Sequence, residues 1–120
     1  MSIIVRDDGF HAADDTEFLD LASDTDPATL TPDMAANIRI AFPSSADGRG
    51  FSLAKILRLQ GFTGRLRAQG HVLADQYAMA RRCGFDEVEI DQALADRQPE
   101  AQWIFRADWQ AHDYQSRIRG

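Results

Sequence analysis

Asp47, Gly48, Arg49, Gly50 and Ser52 are the residues of this chain whose types and spacing best suit ligand chemistry. They follow the apolar run ending in Phe42 and Pro43, at what reads as a strand-to-helix corner. Backbone amides in a glycine turn can cup an oxyanion, and a helix start adds a favourable dipole. Arg49 would contribute two parallel hydrogen bonds to a phosphate, sulfate or carboxylate. Ser44, Ser45 and Ser52 bring hydroxyls. The competing reading is a tight turn with no ligand, in which Asp47 would repel an anion unless it pairs with Arg49. The pattern is neither a Walker loop nor a G-x-G-x-x-G dinucleotide fingerprint, because Leu53 stands where the third glycine belongs.

Other residues offer less. His71 and Asp75 are four apart at a helix start, a spacing that suits a local cap as well as a proton-transfer pair. Cys83 follows Arg81 and Arg82, which would activate an exposed thiol, but its place on an apolar helix face favours a buried structural one. A single cysteine excludes an internal disulfide framework. His11, His71 and His112 lack ligand spacing, so no metal site is predicted. No flavin, nicotinamide, haem or iron–sulfur pattern is visible, so no cofactor is predicted.

The elements that must position these groups fit one domain of 120 residues. No apolar run approaches the roughly 20 residues that span a bilayer. MSIIVRDDGF lacks a basic flank and is too short in its apolar part for a signal peptide, so a cytoplasmic protein is expected. The net charge is −6 and unevenly spread. Residues 1–33 hold nine acids and one base, whereas residues 49–82 hold seven bases and one acid. That asymmetry suits either an anionic partner or neutralisation across the fold. The acidic total, with no aromatics interleaved among the bases, argues against nucleic acid.

The expected fold is α/β, with a short, mostly parallel sheet. Residues 1–36 read as an irregular acidic arm or hairpin: Ile3–Val5 is β-prone, Arg6 to Gly9 is a turn, and Thr16 would cap a short helix. Residues 37–92 read as a β-α-β-α-β core. Its strands are residues 37–42, 64–69 and 86–90. Its helices are 53–60, capped by Ser52 and stopped by Gly61, and 72–83, stopped by Gly84. Gly61-Phe62 and Gly84-Phe85 recur 23 residues apart, each at a helix-to-strand corner. Residues 93–120 read as a helical segment, with a helix from Pro99 onward. At about 100° per residue, Trp103, Ala107, Ala111, Tyr114 and Ile118 share one stripe. Phe105 and Trp109 fall on another, which suits a partner or homodimer contact.

The blocks AFPSSADGRGFSLAKILR, GFTGRLRAQGHVLADQ and RRCGFDEVEI resemble the signature blocks of a bacterial family, domain of unknown function 934. Asp47, Gly48, Arg49, Gly50, Phe51 and Ser52 match its first block. Gly70, Val72, Leu73, Asp75 and Gln76 match the second, with His71 replacing the usual aspartate. Arg82, Cys83, Gly84, Phe85 and Asp86 match the third. Basic residues that often follow the proline are replaced here by Ser44 and Ser45. The resemblance implies a setting, because such proteins are typically encoded beside sulfite reductase and other sulfate-assimilation genes and are loosely described as oxidoreductases. It implies no catalytic residue. Three functions are therefore expected to compete. The first is an accessory protein of assimilatory sulfite reduction, acting by contact with sulfite reductase and by oxyanion binding. The second is a small oxidoreductase-type or other enzyme acting on a sulfur oxyanion or a phosphorylated metabolite, with His71 or Asp75 moving protons. The third is a structural homodimer without a ligand.

Overall fold

The computed structural model describes residues 2–14 and 16–107. Six strands form one sheet in the order β2-β1-β6-β5-β4-β3. They are β1 (Ser2–Arg6), β2 (Gly9–Ala12), β3 (Leu19–Leu21), β4 (Asn37–Phe42), β5 (Arg65–Gly70) and β6 (Glu87–Asp91). The helices are α1 (Arg49–Leu59), α2 (Tyr77–Cys83), α3 (Gln92–Arg97) and α4 (Glu100–Phe105). Strands β3 to β6 run parallel to one another, while β1 lies antiparallel to β6 and β2 antiparallel to β1. The sheet is therefore mixed: the three pairings among β3 to β6 are parallel, as expected for the core, and the two that involve β1 are antiparallel.

The core β4-α1-β5-α2-β6 follows from alternation. Ile38, Ile40 and Phe42 on β4, Leu66 and Ala68 on β5, and Val88 and Ile90 on β6 are buried on one face. Leu53, Ala54 and Leu57 of α1 and Tyr77 and Ala80 of α2 complete that core. Consecutive strands are spatial neighbours, so crossovers of one hand place both helices on the same side, and α1 does pack against α2. Leu94, Ala95 and Trp103 bring α3 and α4 into the same cluster.

Several local expectations change. Of the two readings of the acidic N-terminal segment the hairpin holds, over residues 2–12, and Leu19–Leu21 adds an edge strand that was not expected. The expected helix after Thr16 is extended, because Leu19 and Leu21 align beside Ile38 and Ile40 on β4, where Leu21 packs against the core. Helix α1 begins at Arg49 with Gly48 as its cap, so Ser52 lies inside it. The Asp47 carboxylate accepts from the Arg49 amide at 3.1 Å, which stabilises the earlier start. The second helix is divided into a 3₁₀ turn, Ala74–Gln76, followed by α2. Asp91 opens α3 directly, accepting from the Leu94 amide at 2.8 Å. Of the C-terminal helix, α4 begins after Pro99 as expected; Trp109, Ala111, Tyr114 and Ile118 lie outside the described residues.

Candidate functional site

On the opposite face of the sheet, alternate positions of β3 to β6 carry charges, beside the fully buried Ile4 of β1, which is aligned with Glu89. Arg67 reaches Glu87 and Glu89, which are register neighbours on β6, and also Asp14. Arg39 bridges Glu89 and Asp20, and Arg65 bridges Glu87 and Asp14. Arg6 joins the same group through Glu87 and Asp14. Phe18 lies over the guanidinium groups of Arg67 at 4.2 Å, Arg65 at 5.5 Å and Arg39 at 5.6 Å. Asp14 and Asp20 of the N-terminal segment thus share with Glu87 and Glu89 the neutralisation of Arg39, Arg65 and Arg67. Hydrogen bonds from Arg65, then Arg67, hold the Asp14 carboxyl well below the usual carboxylate range. The sequence reading missed this array; its signal was present in the Arg65-x-Arg67 and Glu87-x-Glu89 spacing, one charge per outward strand position.

The carboxyl ends of β4, β5 and β6 form the edge where ligands sit in parallel sheets. At β4, Arg49 is bidentate on Asp47, with Nε donating at 3.0 Å and Nη2 at 2.8 Å. Ser23 Oγ donates to the same carboxylate at 2.8 Å. Asp47 therefore occupies the anion position within its own loop, and Arg49 lowers its pKa below the ordinary range. The Arg49 side chain remains 62% exposed, and among the described residues none accepts from its Nη1. Gly48 and Gly50 do not have positive φ. Gly50 is required by packing, since a Cβ there would lie 2.5 Å from the Phe42 ring. Ser52 lines a shallow concavity with Arg49, Ser23 and Asp24. Gln76 Nε2 donates to the Ser45 carbonyl at 2.9 Å, tying the β5 loop to the β4 loop.

His71 follows Gly70, whose φ is 120° and whose absent Cβ admits the Phe42 carbonyl. The His71 amide donates to that carbonyl at 2.9 Å. Its exposed side chain borders a cavity of about 210 Å³ with Ser2, Gln69, Glu89 and Asp91. Asp75, in the 3₁₀ turn, instead borders a cavity of about 480 Å³ with Gln98, Phe105 and Arg106. Arg49, His71 and Asp75 thus line three separate concavities. Phe105 is 74% exposed, with the Arg106 guanidinium 5.4 Å from its ring centroid. Trp109 lies outside the described residues. Cys83 is half-buried, and burial pushes its thiol pKa up. Among the described residues no three or more His, Cys, Asp or Glu side chains are grouped to hold a metal ion. No described helix is long and apolar enough to cross a membrane.

Residues 19–120 match the family described as "Bacterial protein of unknown function (DUF934)". No curated protein and no solved structure matches the chain. The chain belongs to that family.

Proposed function

We propose that this chain is an accessory protein of assimilatory sulfite reduction that works by docking, with the Asp47–Ser52 loop as its contact and sulfite reductase as its partner. The metabolic setting comes from the gene neighbourhood typical of the family. The observation that carries the docking role is the state of Arg49. Its guanidinium is fixed by Asp47 and Ser23, yet more than half of the side chain faces solvent. A pre-positioned arginine loses little side-chain entropy on association, and arginine is enriched among residues that dominate binding. With Nε and Nη2 engaged, Nη1 is the donor left for a partner carboxylate or a small oxyanion.

The same geometry favours a protein contact over a free oxyanion. A small anion must compete with the Asp47 carboxylate for the guanidinium, whereas a partner surface can add to the pair at its open side. Phe105, exposed beside Arg106, supplies a second contact of mixed apolar and cationic character.

Association with purified sulfite reductase tests this reading. The expected result is saturable binding that weakens at least tenfold in Arg49→Ala, with the thermal midpoint of that variant near wild type. Undetectable association with sulfite reductase overturns the docking role. A thermal-shift panel with sulfite, sulfate and phosphate tests the oxyanion component. A ligand at about a hundred times its dissociation constant adds roughly 2.7 kcal/mol, which moves the midpoint by several degrees. A shift lost in Arg49→Ala assigns an oxyanion to the loop and calls for turnover assays with that compound.

A further inference from the structure

Glu89 has one committed oxygen and one free one. Its Oε1 accepts from Arg67 Nη1 at 2.9 Å and from Arg39 Nη1 at 3.0 Å. Among the described residues no donor reaches Oε2. The residue is only 7% exposed, yet no fully buried side-chain oxygen among the described residues lacks a partner. What exposure Glu89 has must therefore include Oε2, and Glu89 lines the cavity of about 210 Å³ beside His71. This cavity lies at the carboxyl ends of β5 and β6, the edge where parallel sheets hold their ligands.

The remaining polar lining comes from Asp91, Ser2, Gln69 and His71. Asp91 uses Oδ1 to cap α3, and no described donor takes its Oδ2. Two carboxylate oxygens, a hydroxyl, an amide and an imidazole then surround a space equal to the liquid-water share of roughly seven molecules. A carboxylate oxygen accepts and does not donate, so the ligand must bring N–H or O–H groups. The Asp91 charge, which no described cation pairs with, favours a positive one.

We propose that this cavity is a binding site for a small protonated primary amine, with Glu89 Oε2 and Asp91 Oδ2 as acceptors. The Arg67–Glu89–Arg39 bridge holds the first acceptor rigid. The site is separate from the Arg49 loop, and its chemistry is of opposite sign.

Methylammonium chloride, titrated in the millimolar range into isotopically labelled full chain, tests the assignment by NMR. The expected result is saturable shifts confined to residues 69–71 and 89–91. Tetramethylammonium, which has no N–H, and acetate should leave those signals in place. Glu89→Gln tests the first acceptor but also disturbs the buried pair with Arg67 and the half-buried pair with Arg39. Asp91→Asn retains an oxygen for the α3 cap and should weaken methylammonium binding at least threefold while the rest of the spectrum stays native. Absence of saturable shifts means a cavity holding only water and overturns the proposal. Equal shifts with tetramethylammonium, acetate or potassium chloride also overturn it.

Discussion

Arg67 and Glu87 are register partners on adjacent parallel strands, and each is 2% exposed. A buried pair of this kind is held by what surrounds it, because each ion has lost its water. Here Glu89 and Asp14 take the remaining guanidinium donors, while Arg65 and Arg6 donate to Glu87. Removing both partners should therefore cost less than the two single removals added together. Arg67→Met is expected to lower the urea unfolding free energy by about 3 to 5 kcal/mol, whereas Arg67→Met with Glu87→Met should cost less than the sum of the single changes. Strict additivity in this cycle would mean that the pair is uncoupled.

Acid should loosen the same face. Hydrogen bonds from Arg65 and Arg67 lower the Asp14 pKa, and a hydrogen bond from Arg39 lowers that of Asp20. A carboxyl whose folded pKa lies below its unfolded value stabilises the fold above the unfolded value, about 3.9 for aspartate. That contribution is lost as the pH falls through this value toward the folded one. Asp14→Asn should therefore be less stable than wild type by about 1 kcal/mol at neutral pH, a figure kept small by the partial exposure of Asp14. The gap should close toward pH 2 in urea melts, on the scale set by about 3.9 for the unfolded group. A gap that persists in acid would assign the loss to shape, not to charge.

The two glycines of the Asp-Gly-Arg-Gly turn should separate cleanly. A Cβ on Gly50 meets the Phe42 ring at 2.5 Å, and Phe42 is itself wedged against Phe51 and Phe85. Gly50→Ala is expected to cost about 1 to 3 kcal/mol through overpacking. A Cβ on Gly48 meets nothing within 4 Å and its φ is −88°, so Gly48→Ala should change stability by only about 0.5 kcal/mol. Equal losses in thermal melts would remove the packing explanation.

These contrasts show what the sequence displayed. The alternation of Ile38, Ile40 and Phe42 and the stops at Gly61 and Gly84 are local signals, and β4 and both helix ends lie where they predict. Strand β3 has three residues and is extended only because β4 lies alongside, a cause that no local window contains. Phe18 read as a helix residue because its true neighbours, Arg39, Arg65 and Arg67, are distant in sequence. The charged strand positions drew no reading, since an Arg-x-Arg spacing looks the same whether water or an acidic segment covers it. In the candidate site, the sequence drew attention to Asp47, Arg49 and His71. It could not show that Asp47 would satisfy Arg49, or that Glu89 would share a cavity with His71.

Cys83 should behave as a shielded thiol. It is packed against the core cluster, and burial raises its pKa despite the nearby Lys55 and Arg82. Less thiolate is then present at neutral pH than for a free cysteine. Reaction with a disulfide reagent in the native state should be slower than in urea by more than tenfold. A native rate equal to the unfolded one would place the sulfur in solvent.

Arg58 links the two Gly-Phe corners that recur in the sequence. Its Nε donates to the Gly84 carbonyl at 2.9 Å, and its Nη1 donates to the carbonyls of Phe62 and Gly64, also at 2.9 Å. Its Nη2 reaches Asp86 at 3.0 Å, and Asp86 in turn accepts from the Leu66 amide. One side chain on α1 therefore fixes the exits of α1 and α2 and the entries of β5 and β6. Gly84 must lack a Cβ for this, since one there would lie 2.4 Å from Arg58 Cγ, at a φ of 113°. Arg58→Ala leaves three carbonyls without this donor and should cost about 2 to 3 kcal/mol in urea melts. Arg58→Lys keeps the charge but cannot span donors in a fork, so it should recover less than half of the loss. Full recovery by lysine would mean that charge near Asp86, not the clamp on both corners, is what the fold requires.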